Sequence, residues 1–91
     1  MPSFIAESYV PRSHVADLGS LADRARRAAE TLAGNGHDVE YVRSAFVPED
    51  ELCQHWFTAS SSTVVTEVAR LAALEWERVV EAVERDPKEE T

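Results

Sequence analysis

The chain has 91 residues, of which 44% are hydrophobic, and a formal net charge of −8. A single domain of this size buries only about 60–65% of its unfolded surface, so its core is thin and association is a common supplement. The acidic balance argues against nucleic acid and anionic membrane surfaces as partners, because both call for a basic patch.

Residues Phe4 to Val10 are rich in β-branched and aromatic types and read as a strand that Pro11 ends. Ser13 or Asp17 can cap the helix that follows. Apolar residues recur at Val15, Leu18, Leu21, Ala22, Ala25, Ala29 and Leu32, in the steps of three and four that mark one helical face. Gly19 loosens the first turn, which moves the regular helix toward Ser20. Gly34-Asn35-Gly36 is a strong stop, since both residue types tolerate the left-handed cap conformation.

Val39 to Val47 is the second predicted strand and Glu51 to Ala59 the third, joined by a polar turn at Pro48-Glu49-Asp50. Ser60-Ser61-Ser62 offers N-caps for a second helix, whose apolar positions are Val64, Val65, Val68, Ala69 and Ala72. Trp76 to Glu84 reads as the last strand. The charged segment 86–91 contains Pro87 and is expected to be a disordered tail, leaving one domain over 1–85.

The order βαββαβ predicts an α+β, ferredoxin-like domain with a four-stranded antiparallel sheet and both helices on one face. The strands are apolar on both sides. Ile5, Tyr9, Tyr41, Ala45, Phe57, Val79 and Val83 are assigned to one face, and Phe4, Val42, Phe46, Leu52, Trp56, Val80 and Ala82 to the other. Two helices cover only one of them, so a sheet-to-sheet homodimer is expected.

The lone cysteine excludes an intramolecular disulfide. Cys53 and His55 stand two apart on the third strand, which puts thiol and imidazole on one face. If odd positions share that face, Glu7, Arg43 and Glu81 join them, beside Tyr9 and Tyr41. Three readings of the cluster stay open. Glu7, Arg43 and Glu81 can form a plain ion-pair network, as buried charges require partners. Arg43 can hold a small anionic ligand. Cys53, His55 and Glu7 can hold a divalent transition metal, for which imidazole and thiolate are suitable donors. His14 and His37 read as a helix-start residue and a solvated loop residue. Trp56 and Trp76 read as core residues on strands.

Several short stretches carry a family resemblance: Ile5-Ala6-Glu7, Val42-Arg43-Ser44, Val47-Pro48-Glu49-Asp50-Glu51, Phe57-Thr58-Ala59-Ser60, and Leu74 with Arg78-Val79-Val80-Glu81. Over residues 3 to 84 the chain resembles the small nickel-binding-protein-like family, a ferredoxin-like domain of unknown function. The resemblance implies the same fold, a dimer and, for some members, bound nickel. It also implies a histidine where Arg43 stands, a cysteine where His55 stands, and a glycine and a proline where Ala73 and Glu75 stand.

The opening residues carry no basic stretch followed by an apolar run, and no apolar run approaches the about 18 residues of a membrane span. A soluble, cytoplasmic binding or accessory protein is therefore expected. The alternatives are a cofactor-free isomerase or monooxygenase of the dimeric α+β class, with His55 as base and Glu7 orienting it, and a purely structural interaction module.

Overall fold

The computed structural model describes residues 1–85, so the expected tail over 86–91 lies outside the described residues. Strands β1 (Ser3–Tyr9), β2 (Val39–Val47), β3 (Leu52–Ala59) and β4 (Arg78–Ala82) alternate with helices α1 (Leu18–Gly34) and α2 (Ser62–Ala72) in the predicted order. The sheet order is β2-β3-β1-β4 and every neighbouring pair is antiparallel. This is the ferredoxin-like α+β arrangement. Among the described residues no helix is long and apolar enough to cross a membrane.

Both helices press on the same sheet face. Ala25, Ala28, Ala29 and Leu32 of α1 and Val65 and Val68 of α2 form one core with Phe4, Ala6, Val39, Phe57 and Ala59. Three alanines on the buried face of α1 leave no bulk to hold it off the sheet. Val15 departs from expectation: it lies in a separate 3-10 segment, Arg12–Asp17, and is half exposed. The cap expected from Ser13 or Asp17 does not form, since that segment runs directly into α1.

The two face sets read from the sequence are also reshuffled. Phe4, Tyr41, Phe46, Phe57 and Val79 share the helix face. Ile5, Leu52, Trp56, Val80 and Ala82 share the open one, as the strand register requires. Odd and even positions change sides because β1 and β3 pair with an odd offset, Phe4 opposite Phe57 and Glu7 opposite Gln54. Within β2 they change sides again at a register shift between Tyr41 and Arg43.

The last strand is shorter than predicted. Trp76 lies before β4 and packs its ring 5.6 Å from Phe57 and 5.8 Å from His55, centroid to centroid. The indole closes that edge of the core, and the backbone joins the sheet only at Glu77, whose N–H bonds the Glu7 carbonyl.

Both helices end in the same hydrogen-bonded cap. After α1, the Gly36 N–H donates to the Ala33 carbonyl and the His37 N–H to that of Leu32, with Gly36 at φ 94°. After α2, the Ala73 N–H donates to Arg70 and the Leu74 N–H to Ala69, with Ala73 at φ 56°. Arg24 ties this second cap to α1 by donating to the Ala72 and Ala73 carbonyls. Ala73 thus occupies a left-handed site that suits glycine. Ala73→Gly should stabilise the domain by about 0.5–1 kcal/mol, raising the melting temperature by a few degrees. Thermal denaturation monitored by circular dichroism checks this.

Candidate functional site

The sheet register divides the predicted cluster between its two faces. Cys53 and His55 face the helices, opposite Ser8 and Ala6 of β1. Glu7 pairs with Gln54 and Arg78 on the open face. Arg43, past the register shift, lies opposite Trp56, also on the open face. Glu81 takes the position opposite Phe4 and is exposed. The predicted Cys53–His55–Glu7 metal trio is therefore not assembled. Among the described residues no three His, Cys, Asp or Glu side chains come together as a metal cage.

The expected Glu7–Arg43–Glu81 network is replaced by two separate groups of contacts, one at Glu7 and one at Arg43. Arg78 Nε donates to Glu7 Oε1, and Gln54 Nε2 donates to Glu7 Oε2 at 3.0 Å. The Gln54 bond and then the Arg78 bond hold the Glu7 carboxyl below its ordinary range despite its burial. Arg43 instead lies with its guanidinium carbon 3.5 Å from the centre of the Trp56 ring, and reaches the Glu84 carboxylate at 3.8 Å. Tyr9 is remote from the expected pocket. Its hydroxyl donates to Glu51 at 2.9 Å, and the other Glu51 oxygen accepts the Arg12 N–H.

On the helix face, the structure assembles a polar string. The Tyr41 hydroxyl meets Ser44 Oγ at 2.7 Å, and Ser44 Oγ meets His55 Nδ1 at 2.6 Å. His55 Nε2 lies 3.6 Å from Cys53 Sγ. With Ser44 on Nδ1 and the thiol on Nε2, both ring nitrogens are satisfied. The imidazole is 1% exposed, and burial pushes its pKa down to about 4, so it is neutral at pH 7. Burial pushes the Cys53 thiol up, and the Ser8 hydroxyl only partly offsets this. A cavity of about 240 Å³ beside the string is lined by Leu18, Gly19, Ala22 and Cys53, with Ser44 on its wall.

Neither Ser44 nor Arg78 is among the site residues expected from the sequence. Ser44 reaches His55 only because the irregularity after Tyr41 turns it inward. The i, i+2 spacing of Cys53 and His55 was a sufficient signal for the other half of the string. Arg78 follows from the register of β1 with β4, which residue types alone do not reveal.

No protein-family model matches the sequence, and no curated protein matches it. The fold is similar to the crystal structure of SCO4226 from Streptomyces coelicolor A3(2). That likeness has a TM-score of 0.70 at 15% identity and covers 92% of this chain and 99% of that one. At this identity it establishes the fold alone.

Burial of His55 has a pH signature. The unfolded chain takes up the imidazole proton near 6.5, while the fold refuses it until about 4. Between those values the unfolded state binds more protons, so stability falls as pH drops. The contribution is complete above 6.5, and roughly 3 kcal/mol of it is lost by pH 4. Urea unfolding midpoints across that range should show the decline in the wild type, and His55→Phe should remove most of it. Glu7 adds a later loss at lower pH, as its lowered carboxyl finally protonates.

Proposed function

We propose that the protein is a small homodimeric binding or accessory protein rather than an enzyme, and that its two subunits join sheet to sheet. The observation that carries this reading is the division of the sheet. Its open face presents Ile5, Leu52, Trp56 and Val80 partly exposed, with no helix of the described chain covering them. Its helix face buries Cys53 and His55 beneath the helices, beside the cavity lined by Leu18, Gly19 and Ala22. Glu7 with Arg78 and Arg43 on Trp56 bring charges of both signs to the open face, which is compatible with a self-complementary two-fold contact. A catalytic role for His55 is poorly served, because the ring has both nitrogens satisfied and Glu7 lies on the other side of the sheet to orient it.

The same proposal includes a soft-metal clip, the chemistry implied by the resemblance to nickel-binding-like proteins. Cys53 Sγ and His55 Nε2 are 3.6 Å apart. Tetrahedral bonds of about 2.0 Å to nitrogen and 2.3 Å to sulfur set those donors about 3.5 Å apart. Ser44 fixes Nδ1, which leaves Nε2 as the donor toward the thiol. Arg43, on the opposite face, does not charge this site. Two protein donors give a weak site whose remaining positions fall to water or a small exogenous donor. The raised thiol pKa makes uptake increase with pH.

Two measurements test the two parts separately. Light scattering at micromolar concentration should return a dimer of twice 10.1 kDa, and Val80→Asp on the open face should shift it toward monomer. A concentration-independent monomer would sink the dimer. Calorimetry on untagged protein should give nickel or zinc uptake that is lost in both His55→Ala and Cys53→Ser and kept in Glu7→Gln. Uptake indifferent to Cys53→Ser would remove the metal clip and leave the dimer standing.

A further inference from the structure

We propose that the cavity of about 240 Å³ between the first turns of α1 and the β2–β3 hairpin binds a small uncharged phenol. The site borders the Cys53–His55 string and needs no metal. It lies on the helix side of the sheet, so a partner packed on the open face leaves it accessible.

The cavity exists because α1 carries little bulk at its start. Its apolar stripe runs through Leu18, Ala22, Ala25 and Ala29, and the last two are buried against the sheet. Nearer the helix start, Ser44, Phe46 and Cys53 rise from the sheet, and α1 covers them with only Leu18, Gly19 and Ala22. A side chain begun at Gly19 would meet no atom within 4 Å. Phe46 is left partly exposed as an aromatic wall opposite Cys53. An apolar cavity of roughly 150 Å³ already takes a benzene-sized molecule, so this one has room for a ring with a small substituent.

The lining carries no charged residue, whereas grooves elsewhere on the molecule have arginine in theirs. A carboxylate or an ammonium would lose water here without gaining a partner, so the site favours a neutral molecule. The polar side chains on the wall are the Ser44 hydroxyl and the Cys53 thiol, and both stand on the helix face, as the cavity does. Ser44 Oγ already meets the Tyr41 hydroxyl and His55 Nδ1. A hydroxyl has one hydrogen and two lone pairs. In either tautomer of the ring, the string uses the hydrogen and one lone pair of Ser44. The second lone pair is left over, and a group that meets it must donate. The thiol is a weak donor and a weak acceptor and adds little preference. A flat apolar body, no charge and one O–H donor together describe a phenol, which keeps its proton at pH 7.

The probes are 4-methylphenol and its isomer anisole, which has the same atoms and no donor. Each is titrated, with a chelator present, into full-length untagged protein labelled with 15N-glycine. The chain has three glycines, so three backbone signals report. Gly19 lines the cavity, whereas Gly34 lies about 22 Å further along α1. The Gly19 signal, identified by its loss in Gly19→Ala, should shift saturably with 4-methylphenol at a Kd of about 1 mM or tighter, while Gly34 and Gly36 stay in place. Anisole should bind at least about fivefold more weakly. Ala22→Leu fills the space from the helix and should abolish binding while the circular dichroism spectrum is retained. Ser44→Ala should erase the preference for the phenol over anisole. Absence of a saturable Gly19 shift, equal binding of the two isomers, or undiminished binding to Ala22→Leu would each overturn the proposal. The isomer pair and Ala22→Leu decide it even if Ser44→Ala does not fold. The chelator keeps the outcome separate from nickel uptake, and the proposed dimer contact lies on the other face of the sheet.

Discussion

The pairing of β1 with β3 is the constraint on which the rest of the structure depends. These are the two central strands, and their offset decides which side chains each face receives. With Phe4 opposite Phe57, the large apolar groups meet under the helices, and Ala6 leaves room for the imidazole opposite it. A slip by one residue would turn every one of those groups outward. The same offset sends Glu7 to the open face, where it meets Gln54 and Arg78. Fold and polar chemistry are therefore set by one decision about register.

Burial of a histidine in so small a core needs compensation, and the string from Tyr41 to Cys53 provides it. Every polar atom of the ring has a partner, so the cost of desolvation falls on the charged form alone. The ring also carries part of the packing, because Trp76 lies against it on one side.

Much of the fold was legible in the sequence, for local reasons. Each strand and helix announced itself through periodicity, and the ends through Ser61 and Gly36, whose cap chemistry acts within a few residues. The face-sharing of Cys53 and His55 was legible for the same reason, since it depends on one strand. What failed to show was everything that needs two strands at once. Grouping odd positions across β1, β2 and β3 assumed an even offset and an unbroken β2, and both assumptions fail. That error joined Glu7 and Arg43 to the thiol and hid Ser44. Trp76 was assigned to the start of the last strand, whereas it precedes β4 and its ring packs against Phe57 and His55.

The register shift in β2 has a consequence beyond turning Ser44 inward. β2 is an outer strand of nine residues, the longest in the sheet, and one of its sides has no neighbouring strand among the described residues. A flat strand of that length is a template on which further chains could stack without limit. The irregularity interrupts the ladder near its middle, and Glu40 and Arg43 place charges on either side of the break. At the opposite margin β4 has only five residues. Growth at the margins is thus hindered on both sides, which keeps a sticky sheet from becoming the seed of a fibre.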